Sequence, residues 1–512
     1  MALLACCLRA EKDNSVSFSL RTWVVCACLS AACQATEEPV QSTPAGSHLA
    51  AAVPDSARGA RLSQRGGALL KQGRLRKALS VLVRAANLAP NLAQTHFFIA
   101  MAHARLDEDD LALPAFERAV ELAPEEADYH YALGTTLLVL NRHEDAVARC
   151  ERALELQAGQ SHYHFRLGEA QRALADFSAA RKAYGRAIEL QPDYVEALYR
   201  RSDLLTREGD IDAAIADLEN VLTLAPDHAA ALVDLARLRS KRQQYIEAIV
   251  LAEKALVLDP RDTGAHYLLS QVYGQSGQAE RAAVAAATFE RLTAAERHYK
   301  QGIRNANQRY WSRAAALLQR AIAIDSSHVQ SHIRLGMVRL YEGATDAGIT
   351  TLERAVVLDP QNVEAHCLLG EAHSAAGRPD TAQVFFARAL VRDSTSVRAH
   401  HGRAKAALQA GDIAGAIVGF ARALTINPDH RDTHYMLAQS YIEAGQHRRA
   451  AESFQACLDL DPADVEARYG QARLSVRAGQ LDRARRALEK ILELQPDHAD
   501  ARKQLARLEL RP

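Results

Sequence analysis

The stretches ADYHYALGTTLLVLNRHEDAVARCERALELQ, residues 127–157, and SHYHFRLGEAQRALADFSAARKAYGRAIELQP, residues 161–192, align at an offset of 34 residues. That offset continues in both directions. Thirteen repeats begin at Gly59, Ala93, Ala127, Ser161, Val195, Ala229, Thr263, Ala295, Val329, Val363, Val397, Arg431 and Val465, and the seventh alone is short, at 32 residues. A period in this range means that each repeat is one supersecondary unit burying its apolar face against its neighbours.

Within a repeat, certain positions say what that unit is. The eighth is always small, as in Gly66, Gly134, Gly168, Gly336, Gly370 and Ala438, so two helix backbones must approach closely there. The twentieth is alanine in twelve repeats, with Gly348 the exception, as expected where a second helix crosses the first. Position fifteen is glycine in eight repeats, from Gly73 to Gly479, which suits the left-handed residue after a helix C-terminus. Position 32 is proline in nine, from Pro90 to Pro496, and ends the second helix. Each repeat therefore reads as helix, tight turn, helix, turn.

Composition agrees. Apolar residues make up 48% of the chain but aromatic residues only 5%, a balance that favours closely packed alanine and leucine helices over β-sandwich cores. The expected class is all-α. Lysine plus arginine equals aspartate plus glutamate, 62 against 62, so there is no global basic footprint for nucleic acid. No stretch reaches the ~18 apolar residues of a membrane-spanning helix.

The repeat also decides how the histidine-rich stretch around His162 and His164 is read. Position four holds His96, His130, His164, His266, His298, His332, His366, His400 and His434. Equivalent residues of successive repeats lie about 8–10 Å apart, too far to converge on one metal ion. Packing, not metal ligation, is the expectation. His328 with His332, and His430 with His434, have i,i+4 spacing but no evident third ligand. No metal or cofactor is expected.

One seam interrupts the pattern. Between Gln278 and Gln301 there is no glycine or proline, so repeat seven could run straight into repeat eight. The alternative is a shortened turn, with Thr293 capping a new helix and Glu296 reaching back to it. The turn is the favoured expectation.

Taken together, the small eighth position, Ala at twenty, aromatics at 24 (Phe116, Tyr184, Phe386, Phe420, Phe454), alanines at 27 and proline at 32 resemble the tetratricopeptide repeat (TPR) family over residues 59–498. The departure is position four, where the family often has tryptophan. The resemblance implies a right-handed α-solenoid superhelix of about thirteen helical hairpins. Residues 59–294 would hold repeats one to seven and residues 295–498 repeats eight to thirteen, followed by a capping helix in residues 499–512. It also implies a concave groove, lined by the first helices, that grips a peptide or another protein. Groove positions include two, five, six and nine. Position six offers Arg166, Arg200, Lys300 and Arg334, and position five Tyr131, Phe165, Tyr199, Tyr267 and Tyr299. Arginine and tyrosine are frequent binding hot spots. Arg166 and Arg200 lead as a pair in adjacent repeats, able to hold successive acidic or carbonyl groups. The lysine-five, asparagine-nine pair of family members that clamp chaperone C-termini is absent.

No catalytic domain is expected, because residues 1–58 and 499–512, those outside the repeats, are too few to form one. A non-catalytic scaffold for protein partners is the first expectation; a regulatory or recruiting subunit of a separately encoded enzyme, such as a glycosyltransferase, is the alternative. Residues 1–33 read as a secretory leader: Arg21, then uncharged residues from Thr22 to Ala32, then Cys33. LSAAC resembles a bacterial lipoprotein box with Cys33 as the lipid-bearing residue; Cys28 is its rival, and translation is expected to start at Val16. Residues 34–58 read as a tether. The expected location is the cell envelope, as a periplasmic or outer-membrane lipoprotein touching the membrane only through that lipid, with the cytoplasm as the alternative. Cys150, Cys367 and Cys457 read as small buried residues.

Overall fold

The computed structural model describes residues 55–509. They form 26 helices, from Asp55–Lys71 to Ala499–Glu509, and no strand among the described residues. The chain divides into two compact parts, one up to Leu238 and one from Arg239. In each, helical hairpins follow one another in chain order. Repeat four is representative, with first helix Ser161–Ala173 and second helix Phe177–Leu190. The first helix of repeat one starts at Asp55, so the last four residues of the expected tether are helical. Residues 1–54, and with them Cys33, Cys28 and the leader, lie outside the described residues.

The turn inside each hairpin is the same thirteen times. Position fifteen has a positive φ in every repeat: eight glycines between +71° and +87°, and Asp107, Asn141, Ala175, Gln243 and Arg309 at +60° or +61°. The amide of position sixteen then bonds the carbonyl of position eleven, as Arg74 does to Leu69 and Asp176 to Gln171, both within 3.0 Å. This is the six-to-one bond of a Schellman motif, which satisfies carbonyls that the helix end would orphan. Non-glycine residues in this conformation cost about 1–2 kcal/mol each. Repetition of the same helix crossing sustains them.

Close approach explains the small positions. A Cβ on Gly168 would lie 2.6 Å from the Tyr184 ring, and one on Gly370 would lie 2.7 Å from Phe386. Position-24 aromatics thus fill the space that position eight leaves empty. Phe386 also presses on the next repeat, where a Cβ on Gly402 would come within 2.3 Å of it. Cys150, Cys367 and Cys457 are buried free thiols, and burial pushes the Cys150 thiol up to about 12. At the C-terminal end, Ala501 and Leu508 of helix Ala499–Glu509 pack on Ala472, Leu488 and Ile491, while Arg502, Lys503 and Arg507 face water. That helix caps the last repeat.

The seam departs from the favoured expectation. A single helix, Ala279–Asn307, runs 29 residues through the second helix of repeat seven and the first helix of repeat eight. Thr293 and Glu296 lie inside it, so the boundary expected at residues 294 and 295 is not a turn. The physical reason is local. Two residues are missing, and the alanine-rich sequence has helix formers where a break would need a glycine or proline. One consequence is a contact between turns that the missing turn would otherwise separate. Asp325, in the turn after repeat eight and 1% exposed, accepts from Arg261 in the turn after repeat six and from Arg291 at 3.0 Å. Ser327 adds its hydroxyl at 2.6 Å and its amide at 3.2 Å. Burial acts to raise the carboxyl, but these hydrogen bonds and the arginine charge hold it at about 2.

Candidate binding surface

The turns between hairpins are held by histidines of two kinds. Position-four rings reach back to the carbonyl six residues earlier, at position 32 of the preceding repeat. Nε2 of His96, His130, His164, His266, His332, His366, His400 and His434 meets that oxygen at 2.8–3.1 Å. Where position four is arginine, Arg468 and Arg502 make the same bond to Pro462 and Pro496. His298 makes no such bond among the described residues; its turn is the one replaced by continuous helix. The histidine comb is therefore a set of turn locks. Among the described residues no group of three His, Cys, Asp or Glu side chains is placed to hold a metal.

The second kind sits at position 34, where the sequence pattern marks His328 and His430 only for their spacing from His332 and His434. Nδ1 of His228, His430 and His498 accepts from the amide three residues on, at 3.1, 3.2 and 3.1 Å, as an N-cap does. Nδ1 of His328 contacts the Ser331 hydroxyl instead. Each of these rings rests on the position-five ring of its own repeat: His228 on Tyr199 (4.8 Å), His328 on Tyr299 (4.9 Å), His430 on His401 (5.4 Å) and His498 on Tyr469 (5.3 Å). The signal was legible, because a histidine immediately before a first helix coincides with a tyrosine 29 residues earlier in three cases and with His401 in the fourth.

This arrangement sorts the expected groove residues. Tyr131 is buried, stacked 4.8 Å from Tyr163 and edge-on to His162 at 4.9 Å. Phe165 is buried between Tyr184 and Tyr194, at 5.6 and 5.0 Å. Arg166 is only 4% exposed, and its Nε and Nη1 find no hydrogen-bond acceptor. Arg166 is thus not open at the surface beside Arg200, its counterpart in the adjacent repeat. On this face Phe97, Tyr131 and Phe165 at position five are all buried, as are Phe98 and Arg166 at position six and Met101 and Glu169 at position nine. Arg200 is half-buried and held by Glu196 at 3.0 Å and Glu169 at 3.6 Å. Tyr199 donates its hydroxyl to Asp234 at 2.9 Å.

The surface opens in the C-terminal part. Arg334 pairs with Glu364 at 2.9 Å, and Tyr299 lies against His328. Lys300 is exposed, 3.4 Å from Glu296. Tyr267 stands apart from the other position-five tyrosines at 48% exposure, touching the Phe289 ring at 5.2 Å and accepting from Gln271 at 2.8 Å. It lacks the covering histidine because the short seventh repeat has no position 34. An exposed aromatic beside an amide group offers the mixture of apolar area and directional polarity that polypeptide partners bury.

Comparison with known proteins agrees with this architecture. Models of the tetratricopeptide repeat match residues 100–161, 165–229, 203–263, 351–384, 407–452 and 441–508, together more than half of the chain. The chain belongs to the tetratricopeptide repeat family. No curated protein matches it. Similar solved structures include the Cut9–Hcn1 hetero-tetramer of the APC/C, at 16% identity over 88% of this chain and 97% of that one, with a TM-score of 0.40. Yeast Tom70 matches at 16% identity over 75% of this chain and 95% of its own, TM-score 0.34. Pseudomonas aeruginosa PilF matches at 20% identity over 44% of this chain and 99% of its own, TM-score 0.37. Proteins of this family bind protein or peptide partners, and that is the kind of activity the fold supports.

Proposed function

We propose that this protein is a non-catalytic scaffold that holds a polypeptide partner on the first-helix face of its C-terminal part, centred on Tyr267. The observation that carries the reading is the exposure of Tyr267 where the equivalent rings Tyr131 and Phe165 are buried. A tyrosine loses little side-chain entropy on binding and supplies a large contact area, so an uncovered one on this face is an anchor. Gln271, at groove position nine of the same helix, flanks it and donates its amide to the tyrosine hydroxyl. We further propose that Cys33 carries a lipid that tethers the scaffold in the cell envelope, on the evidence of an apolar run that stops at a cysteine ahead of the repeats.

Site-specific photo-crosslinking tests the first part. A photoreactive residue at position 267 in the full chain should capture a polypeptide in cells, whereas one at Val384, on a second helix, should not. Equal capture from both positions, or none from 267, overturns the reading. For the tether, mass spectrometry of the mature N-terminus should find a lipidated Cys33; residues 1–20 still attached in a soluble fraction would refute it.

A further inference from the structure

The continuous helix at the seam leaves one face of repeat eight without the preceding second helix on which the first helices of repeats seven and nine to thirteen pack. Positions three and ten of a first helix are buried in repeats seven and nine to thirteen, occupied by small or apolar residues such as Ser331 and Val338, Ala365 and Ala372, or Ala399 and Ala406. In repeat eight these positions are Arg297 and Arg304, and both are exposed. Lys300 stands between them, its side chain 70% exposed. The preceding repeat is uncovered as well: Ala282, at the twentieth position, is half-buried where the equivalent alanines are fully buried. Opening of the stack and replacement of core residues by cations thus fall at the same place.

Charge sets this face apart from the rest of the chain. Residues 297–324 contain Arg297, Lys300, Arg304, Arg309, Arg313 and Arg320 and no aspartate or glutamate, within a chain whose charges balance overall. Elsewhere in the same part arginines meet carboxylates, as Arg398 meets Glu371 at 2.7 Å and Arg431 meets Asp464 at 2.7 Å. Arg297 and Arg304 have no ion-pair partner among the described residues, and Lys300 has only Glu296, at 3.4 Å. On a helix, residues spaced by three and then four lie on one face, here along about 10 Å.

We propose that the face of helix Ala279–Asn307 carrying Arg297, Lys300 and Arg304 docks an acidic helix of a partner protein, in the place that a preceding hairpin takes in other repeats. Two features select a helix over other anionic occupants. Positions three and ten are shaped to receive helices in the neighbouring repeats, and carboxylates spaced three and four residues apart on a partner helix match the spacing of the cations. Exposed arginines cost little to desolvate partly and pair with carboxylates in forked geometry. Nucleic acid would need a wider basic footprint than three side chains on one helix in a chain of balanced charge. This surface is distinct from the one around Tyr267 and shares with that reading only the premise that the partner is a polypeptide.

The test uses the full chain and a fluorescein-labelled, 20-residue amphipathic helical peptide with glutamates in the three-four spacing. A glutamine analogue of the peptide and a single-stranded DNA 20-mer serve as competing probes in fluorescence anisotropy. The acidic peptide should bind, and the double variant Arg297→Gln, Arg304→Gln should weaken it at least tenfold while circular dichroism stays unchanged. A second variant, Arg297→Ala with Arg304→Ala, should do the same, whereas Tyr267→Ala should leave this affinity intact. Equal binding of the glutamine analogue, indifference to both double variants, or tighter binding of the DNA would overturn the proposal.

Discussion

Replacing Asp325 by asparagine should loosen two turns that are 64 residues apart. The carboxylate is 1% exposed and is reached by Arg261, by Arg291 at 3.0 Å and by Ser327 through two donors. Asparagine keeps one acceptor oxygen, which can still serve Ser327, but loses the charge that both arginines meet and the second acceptor, Oδ2, to which Arg261 donates. Hydrogen bonds to charged groups contribute about 1.5–3 kcal/mol each when formed in a buried setting. Both arginines stay partly in water, which can replace part of what they lose, so a net cost of about 2 kcal/mol is expected for the pair. Repeat proteins open locally, and the loss should therefore appear in nearby amides and not as one global transition. In hydrogen exchange read by mass spectrometry, about 2 kcal/mol corresponds to roughly 30-fold faster exchange. It should be seen for His328 and Ser331 in one turn and for Asp262 and Ala265 in the other. The contribution should also depend on pH in a defined sense. The folded carboxyl is held at about 2, below its ordinary 3.8, so the stabilisation is complete above about pH 4 and is lost as pH falls through 2. Unchanged exchange at residues 259–262 in the variant would refute the link between the turns.

Three further outcomes follow from the packing. Gly402→Ala should destabilise the neighbouring repeats by about 1–3 kcal/mol, because its Cβ would lie 2.3 and 2.4 Å from a Phe386 ring that Gly370 also confines; a thermal melt identical to that of the parent would contradict this. Arg166→Met should leave the melting temperature unchanged or raise it, since it removes a buried cation with unsatisfied donors and keeps the side-chain length; a fall equivalent to more than about 1 kcal/mol would show that the guanidinium is productively bonded. Burial, with Arg261 nearby, lowers His328 to about 4, so it is neutral in the fold; the stability it supports is full above about pH 6.5 and lost as pH falls toward 4. An imidazole titration midpoint at or above 6.5, measured by NMR, would refute that environment.

Much of the fold could be read residue by residue. The small eighth positions, Ala at twenty and the aromatics at 24 meet where the repeat alignment placed them, because each is dictated by a helix crossing inside one hairpin. The left-handed turns were visible only where they use glycine. Asp107, Asn141, Ala175, Gln243 and Arg309 adopt the same conformation under the pull of packing, and propensity gives no hint of them beyond Asn and Asp. The candidate surface was less legible. Arg166 and Tyr131 satisfy the sequence rule for groove positions but are buried, since that rule states which way a side chain points and not how much its neighbours fill.

The sequence by itself determined the class, the repeat length, the hairpin within each repeat and the packing role of the position-four histidines. All of these depend on contacts spanning at most one period, so they are written into spacing. Only the tertiary structure decided that repeats seven and eight share one helix, that Asp325 ties together turns two repeats apart, and that Tyr267, Arg297 and Arg304 are left uncovered. Those outcomes depend on where whole hairpins come to lie after a two-residue deletion. A local choice between a cap and a continuing helix differs by about 1 kcal/mol, and it is the packing of the hairpins on either side that settles it.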